Sequence, residues 1–215
     1  MRAMAWARSC ALVLAAAASA ASTCAATGGE WRFRVLLDDA EIGEHRFSVA
    51  ASGDERKVTS DASFVVRFLG IVAYRYTHKA AERWRGDCLV ELQARTDDDG
   101  KSTRVHAEAR DEASPASLDA TVQPLAGCVM SFAYWNPAMR EQTQLLNAQT
   151  GRTEAVKVSA QGGGTIDVRG QPTTATRWRI TGPVRPVDVW YTAKGEWIGL
   201  DSMVAGNRKL SYRLK

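Results

Sequence analysis

Apolar and polar side chains alternate in short runs along nearly the whole chain, and this feature limits what the chain can fold into. The runs recur about every 10 to 15 residues and are separated by Gly, Asp, Asn and Pro. Strict alternation places successive side chains on opposite faces of a strand, and closely spaced turns connect strands that run antiparallel. We therefore expect an all-β, antiparallel fold.

The stretch from Val72 to Trp84 shows this alternation most clearly. One face of the predicted strand combines aromatic and ionisable side chains: Val72, Tyr74, Tyr76, His78, Ala80, Glu82 and Trp84. The opposite face is polar and basic, with Arg75, Lys79 and Arg83 among its members. By the same pattern, Cys88, Val90, Leu92 and Ala94 point inward on the next strand, whereas His106 points outward on the strand after it.

One segment departs from the two-residue period. Residues 132–137 lead into Ala138–Leu146, where Asn136 could cap a helix and Pro137 would occupy its first position. We predict a short helix over Ala138–Leu146. About 10 to 12 strands with one helix fit a strongly curled sheet, or a partly open β-barrel, wrapped around that helix.

Residues 1–26 have the order of a secretory signal. Arg2 and Arg8 precede an apolar run of small residues and leucine, and Ser, Ala and Cys follow. The apolar run is about half of the 20 residues that a membrane-spanning helix needs. We predict cleavage after Ala26, with Ala21 as the alternative position, which leaves residues 27–215 as a single β domain in the periplasm or outside the cell.

Lipid anchoring at Cys24 is disfavoured. The three preceding residues, Ala21-Ser22-Thr23, lack the leucine-like residue and the terminal Gly or Ala expected before an acylated cysteine. If the signal is removed with Cys10 and Cys24, Cys88 and Cys128 remain in an oxidising compartment. We expect these two to form a disulfide, and two buried free thiols are the alternative.

Composition and charge exclude several classes of protein. Removal of the signal would leave 189 residues with 26 basic and 24 acidic side chains, a balance too even to indicate a nucleic-acid partner. The apolar content of 45% and the charged content of 24% are those of a globular protein. They exclude disordered, collagen-like and membrane-spanning classes.

A series of short motifs resembles an exported bacterial family. The motifs are Ile42-Gly43 with His45, residues 74–78 with Glu82 and Trp84, Cys88-Leu89, Trp135-Asn136, Leu146-Asn147 with Thr150-Gly151, residues 189–191, and Tyr212 with Leu214. In order and spacing they resemble domain of unknown function 6134 across nearly the whole mature chain. The C-terminal strands also look distantly like domain of unknown function 3108, which implies a curled periplasmic sheet of the lipoprotein-carrier kind.

The candidate site is the inward face of these strands. Alternation buries His45, His78 and Glu82, and an ionisable group inside a protein costs free energy unless it is paired. His78 and Glu82 lie four positions apart, roughly 13 Å along one strand, so each needs a partner on another strand. Around them, the predicted ligand-binding residues are Tyr74, Tyr76, Trp84, Trp135, Asn136 and Trp190. The alternative for each is a structural role in the core or as a helix cap.

We expect a periplasmic protein that binds or carries a lipid or another apolar ligand in the space enclosed by its sheet. One alternative is an enzyme that uses His78 and Glu82 for acid-base or metal chemistry. Another is a cell-envelope interaction protein without a small-molecule site. The sequence contains no GxSxG, HExxH, Walker or dinucleotide-binding motif. We therefore assign no catalytic residue, metal or cofactor.

Overall fold

The computed structural model describes residues 28–109, 122–182 and 185–215, so the predicted signal segment 1–26 lies outside the described residues. The strands are β1 (Gly29–Leu37), β2 (Ala40–Ser52), β3 (Glu55–Phe68), β4 (Ile71–Arg85), β5 (Cys88–Asp98), β6 (Lys101–Ala109), β7 (Gln123–Leu125), β8 (Gln144–Leu146), β9 (Thr153–Ala155), β10 (Lys157–Val168), β11 (Gln171–Thr181), β12 (Val187–Tyr191), β13 (Trp197–Val204) and β14 (Arg208–Leu214). The all-β prediction is confirmed. No helix in the described part of the chain is long and apolar enough to cross a bilayer.

Twelve strands form one large sheet in the order β10-β11-β12-β13-β14-β1-β2-β3-β4-β5-β6-β7, and β8 and β9 form a separate two-stranded sheet. The last strand, β14, pairs with β1 in the middle of the large sheet, so the two ends of the described chain lie side by side. Neighbouring strands run antiparallel except β6 and β7, which are parallel, so the sheet is mixed.

The prediction of a strongly curled sheet or a partly open barrel is wrong. The sheet remains open, with β10 and β7 at its two edges, and it is neither closed nor strongly curled. The physical reason is the route of the chain. It must pass from β7 at one edge to β10 at the other, and residues 126–156 cross the inner face on the way. We call residues 126–156 the covering segment.

The covering segment forms the second layer of the fold. Leu89 on β5 donates a backbone hydrogen bond of 2.8 Å to Val129. Farther along, the ring of Tyr134 packs 5.4 Å from that of Trp197, and the backbone carbonyl of Tyr134 accepts a hydrogen bond of 2.8 Å from the hydroxyl of Tyr191. These contacts attach the segment to both halves of the sheet. The apolar core lies between the two layers.

The predicted helix over Ala138–Leu146 is also wrong. The chain forms only a 3₁₀ turn, Pro137–Glu141, which Asn136 caps by accepting a hydrogen bond of 3.0 Å from the backbone N–H of Ala138. The backbone becomes extended at Gln142, and residues 144–146 form β8. Leu145 and Leu146 are both fully buried, which a strand enclosed on both faces allows.

A disulfide joins Cys88 on β5 to Cys128 in the covering segment. The predicted pairing is therefore confirmed. It anchors the start of the covering segment beside the edge from which the segment crosses the sheet.

Candidate functional site

A cavity of about 1070 Å³ lies between the inner face of the sheet and the covering segment. Its walls come from β2, β3, β4 and β12–β14 and from residues 131–135 and 147–149 of the covering segment. Most of the lining side chains are apolar or aromatic. Ligand pockets typically enclose about 300 to 1,000 Å³, so this space can accept an acyl chain or an apolar molecule of similar size.

The cavity follows the direction of β4 and has two different ends. At one end, the lining residues Ala73, Asp98 and Arg208 are exposed to solvent. At the other end, which we call the closed end, Ser131 is buried and the half-buried Glu82 is hydrogen-bonded to it. Tyr74 near the open end and Glu82 at the closed end lie eight positions apart, which corresponds to roughly 26 Å along a strand.

Six of the nine predicted ligand-binding residues line this cavity. They are His45, Tyr74, Tyr76, His78, Glu82 and Trp135. Five of them follow from alternation on β2 and β4, because residues two apart share a face of the sheet. The sixth belongs to the covering segment.

The other three predicted residues have different positions. Trp84 is fully buried beneath the edge of Trp135, with ring centroids 5.4 Å apart. Asn136 caps the 3₁₀ turn and donates a hydrogen bond of 2.9 Å to Asp87. Trp190 donates a hydrogen bond of 2.8 Å to Asp201. None of the three is among the residues that line the cavity.

A chain of three polar side chains crosses the middle of the cavity wall. The Nε2 atom of His45 lies 2.7 Å from the hydroxyl of Ser60 on β3, and its Nδ1 atom lies 3.3 Å from the hydroxyl of Tyr212 on β14. Burial lowers the pKa of His45 to about 3, and the nearby His78 adds to the effect. The imidazole is therefore neutral near pH 7, and both of its nitrogens are engaged within the wall.

His78 lies on the neighbouring strand and faces the same cavity. Its Nδ1 atom lies 2.9 Å from the hydroxyl of Thr96 on β5. Burial lowers the pKa of His78, although the Asp61 carboxylate acts in the opposite direction. Burial thus favours the neutral form of both histidines.

Glu82 lies at the closed end of the cavity. Its Oε2 atom accepts a hydrogen bond of 2.8 Å from the indole of Trp84, and its Oε1 atom lies 3.0 Å from the hydroxyl of Ser131. Burial raises the pKa of Glu82, and these two hydrogen bonds only partly offset that shift. Desolvation therefore favours the protonated, uncharged acid.

The sequence profile of a family described as domain of unknown function (DUF6134) matches residues 33–215. The chain belongs to this family. The match includes every residue that lines the cavity of this DUF6134 protein. No curated protein and no solved structure shows a significant match.

Three polar residues in the wall of this DUF6134 cavity were not predicted. Ser60, Tyr212 and Ser131 supply the partners of His45 and Glu82. A signal for Ser60 existed in the alternation of β3, where it lies between Val58 and Ala62 on the buried face. Tyr212 had the same signal, since it lies between Leu210 and Leu214 on β14. Ser131 gave no comparable signal, because it belongs to no strand and lies 49 residues from its partner along the chain.

The three ionisable groups weighed as a metal or acid-base site do not converge. His45, His78 and Glu82 do not bring ligand atoms within 4.8 Å of one another, whereas such a group does form from Glu91, His106 and Glu108. That group lies on the other face of the sheet, where His106 is hydrogen-bonded to Glu108 at 3.0 Å and Glu91 is paired with Arg83. These contacts show that the cluster of Glu91, His106 and Glu108 is a network of partly exposed charged and polar side chains.

Proposed function

We propose that this protein binds an apolar ligand of the lipid type in the cavity beneath the covering segment, and that it holds or carries this ligand in the periplasm. The observation that carries the proposal is the volume of about 1070 Å³ with a largely apolar and aromatic lining. A signal-like N-terminus and the disulfide between Cys88 and Cys128 support a location outside the cytoplasm.

The electrostatics of the cavity indicate how such a ligand would lie. The Arg and Asp residues in the lining are Arg185, Arg208 and Asp98, and they lie toward the open end. The deeper ionisable groups, His45 and Glu82, favour their uncharged forms. Moving a charge into such an environment is costly. The acyl part therefore enters first, and the head group remains at the rim, where Arg185 lies beside Arg208, which is itself paired with Asp38.

A hydrolytic enzyme is a second candidate, because Ser60, His45 and Tyr212 are arranged like a nucleophile, a base and an orienting group. The pKa of His45, about 3, argues against it. An efficient general base has a pKa near the working pH, and a base this weak has little driving force to accept a serine proton. The same contacts suit a neutral wall that offers hydrogen bonds to a bound ligand.

The test is titration with a fluorescent fatty acid whose emission rises in an apolar environment. Ala80 lines the cavity, and Ala81 is exposed on the opposite face of the same strand. Ala80→Leu fills part of the cavity and should weaken binding of the fatty acid by about tenfold or more. A tenfold loss of affinity corresponds to about 1.4 kcal/mol of binding free energy. Ala81→Leu adds the same volume outside and should leave the affinity unchanged.

Native mass spectrometry of protein purified gently from the periplasm provides an independent readout. Co-purified lipid that is lost in Ala80→Leu and kept in Ala81→Leu would support the proposal. If fatty acids, phospholipids and sterols all fail to bind saturably, the carrier proposal is wrong. A stoichiometric covalent adduct of an ester substrate on Ser60 would favour the enzyme instead.

A further inference from the structure

The large apolar side chains that are strongly exposed in the described part of the chain lie at one end of the molecule. Phe68, Leu69 and Ile71 at the β3–β4 turn are 71%, 86% and 72% exposed, and Met203 near the end of β13 is 37% exposed. Antiparallel pairing places the C-terminal ends of β3 and β13 on the same side of the sheet, where these strands end. The cavity also opens on this side.

The tip of the β3–β4 hairpin lies beyond the points at which its pairing with the two neighbouring strands ends. Its pairing with β2 ends at Phe64, and its pairing with β5 ends at Tyr76. Residues 65–74 therefore pair only with each other, up to Phe68 opposite Ile71, whereas the backbone of Arg75 is still hydrogen-bonded to Asp99 of the β5–β6 turn. Ile71 lies five positions beyond Tyr76, so the tip extends roughly 15 Å past the last shared pair. We call residues 65–75 the projecting hairpin.

Leu69 occupies a backbone conformation that does not suit it. Its φ is 50° and that of Gly70 is 80°, so both central residues of the turn have positive φ. Turns of this kind favour Asn, Asp or Gly at the first position, and a branched apolar residue there costs about 1 to 2 kcal/mol. Leu69 is neither buried in the fold nor favoured by its backbone, so folding does not explain its presence.

The charge of the projecting hairpin is of one sign. Between Asp61 and Lys79 the chain contains no acidic residue, and its charged side chains there are Arg67 and Arg75. Arg67 lies opposite Val72, one pair below the tip, and Arg75 lies opposite Val65. The aspartates of the β5–β6 turn contact only the base of the hairpin, where Asp98 accepts a hydrogen bond of 2.7 Å from the hydroxyl of Tyr74 and Asp99 is hydrogen-bonded to the backbone of Arg75.

We propose that the projecting hairpin inserts its tip into a bilayer that contains anionic phospholipid. An apolar tip with Arg67 one pair behind it, and Arg75 roughly 13 Å behind Ile71 along the strand, matches the boundary between acyl chains and phosphate groups, which interfacial segments penetrate by about 5 to 10 Å. A protein partner fits less well. A stable interface buries about 800 Å² on each side, and a convex four-residue turn offers much less.

Insertion would bring the mouth of the cavity to the membrane surface. Val66, Ala73 and Tyr74 of the projecting hairpin line the cavity, as does Met203 on the opposite side of the mouth. Insertion does not require an occupied cavity, because the tip can enter the bilayer whether or not a ligand is bound.

The test is co-sedimentation of the protein with vesicles of phosphatidylcholine, with and without phosphatidylglycerol. Leu69→Asn removes the apolar side chain and introduces a residue suited to positive φ, so the variant should fold with an unchanged or higher melting temperature. Its binding to anionic vesicles should fall by about tenfold, as expected for loss of one inserted leucine. Ser52→Asn, at the exposed end of β2 beside the turn at the other end of β3, is the matched control and should bind as wild type.

Arg67→Gln and Arg75→Gln should weaken binding to the anionic vesicles and leave the weaker binding to phosphatidylcholine unchanged. The proposal is overturned if wild type binds neither vesicle, if Leu69→Asn binds as tightly as wild type, or if the tip mediates dimerisation in place of vesicle binding. Leu69→Asn should still bind the soluble fluorescent fatty acid, and Ala80→Leu should still bind vesicles. Membrane docking and cavity binding can therefore fail separately.

Discussion

Ser131 and Glu82 lie in hydrogen-bond contact, with 3.0 Å between the hydroxyl and Oε1. This contact joins the covering segment to the inner face of the sheet at the closed end of the cavity. Trp84 satisfies the other carboxyl oxygen from the same strand. Because both oxygens are engaged in a desolvated position, removal of the carboxyl group leaves buried polar partners unsatisfied.

We therefore expect Glu82→Ala and His78→Ala to lower the free energy of unfolding more than His106→Ala does. Loss of a partner from a buried polar pair costs about 1 to 3 kcal/mol, whereas surface changes usually cost less than about 0.5 kcal/mol. The side chain of His106 is 33% exposed. Urea unfolding of the three variants measures the difference. Equal losses would show that the interior contacts of His78 and Glu82 contribute nothing beyond those of a surface pair.

The stability of the protein should depend on His45 below neutral pH. Its pKa is about 3 in the folded protein and about 6.5 when unfolded, so the unfolded chain binds more protons between these values and stability falls as the pH falls. Between pH 7 and pH 5 this one group should lower the free energy of unfolding by about 2 kcal/mol. His45→Asn should remove that part of the pH dependence, as measured by unfolding at both pH values.

Glu82 should act in the opposite direction. Burial raises the pKa of its carboxyl group in the folded protein, so its contribution is fully present below the ordinary glutamate pKa and is lost as the pH rises. Glu82→Gln keeps the shape of the side chain and replaces the ionisable carboxyl group with an amide that does not titrate. The variant should lose less stability than wild type on raising the pH from 5 to 8. A variant with the wild-type pH profile would mean that Glu82 has the same pKa folded and unfolded.

Gly43 should not tolerate a side chain. A Cβ atom at this position would lie 2.0 Å from the carbonyl oxygen of Ser63 on the paired strand. Since the contact is with backbone, relief requires β2 and β3 to separate next to His45, and we expect Gly43→Ala to cost about 3 kcal/mol or more. Gly53→Ala is the control, because its Cβ would meet open space and only its positive φ is unfavourable, at about 1 kcal/mol. Similar melting temperatures for the two variants would contradict this.

The disulfide should contribute measurably to stability. It closes a loop of 40 residues, for which loss of unfolded-chain entropy predicts about 3 to 4 kcal/mol. The double variant Cys88→Ser, Cys128→Ser should unfold at a correspondingly lower urea concentration. In a chain that begins at Thr27, thiol titration under denaturing, non-reducing conditions should find no free thiol in wild type. Two reactive thiols would show that the bond does not form in the purified protein.

Local alternation was sufficient to predict much of this molecule. It depends on the two-residue period of a strand, which any stretch of sequence displays without its partners. For that reason the all-β class and the inward faces of β2 and β4 could be predicted, including His45 and His78. The disulfide could be predicted because only two cysteines follow the signal-like segment.

Pairing across the sheet changed the details of these faces. On β5, alternation predicts that Val90 points inward, but the register shifts beside Trp84 and it is Leu89 that is 1% exposed. Such a shift depends on where the neighbouring strand begins and ends. It leaves no clear mark in the strand's own sequence.

By itself, the sequence determined the class of fold, the inward faces of β2 and β4 and the predicted cysteine pair, because each depends on local periodicity or on counting. The tertiary structure alone decided that the sheet stays open, that residues 144–146 form a strand, and that a cavity remains beneath the covering segment. It also placed Tyr212 against His45 and Ser131 against Glu82, across 167 and 49 residues. These features depend on how segments that are distant in the sequence pack together, and the local alternation of apolar and polar residues carries no information about that packing.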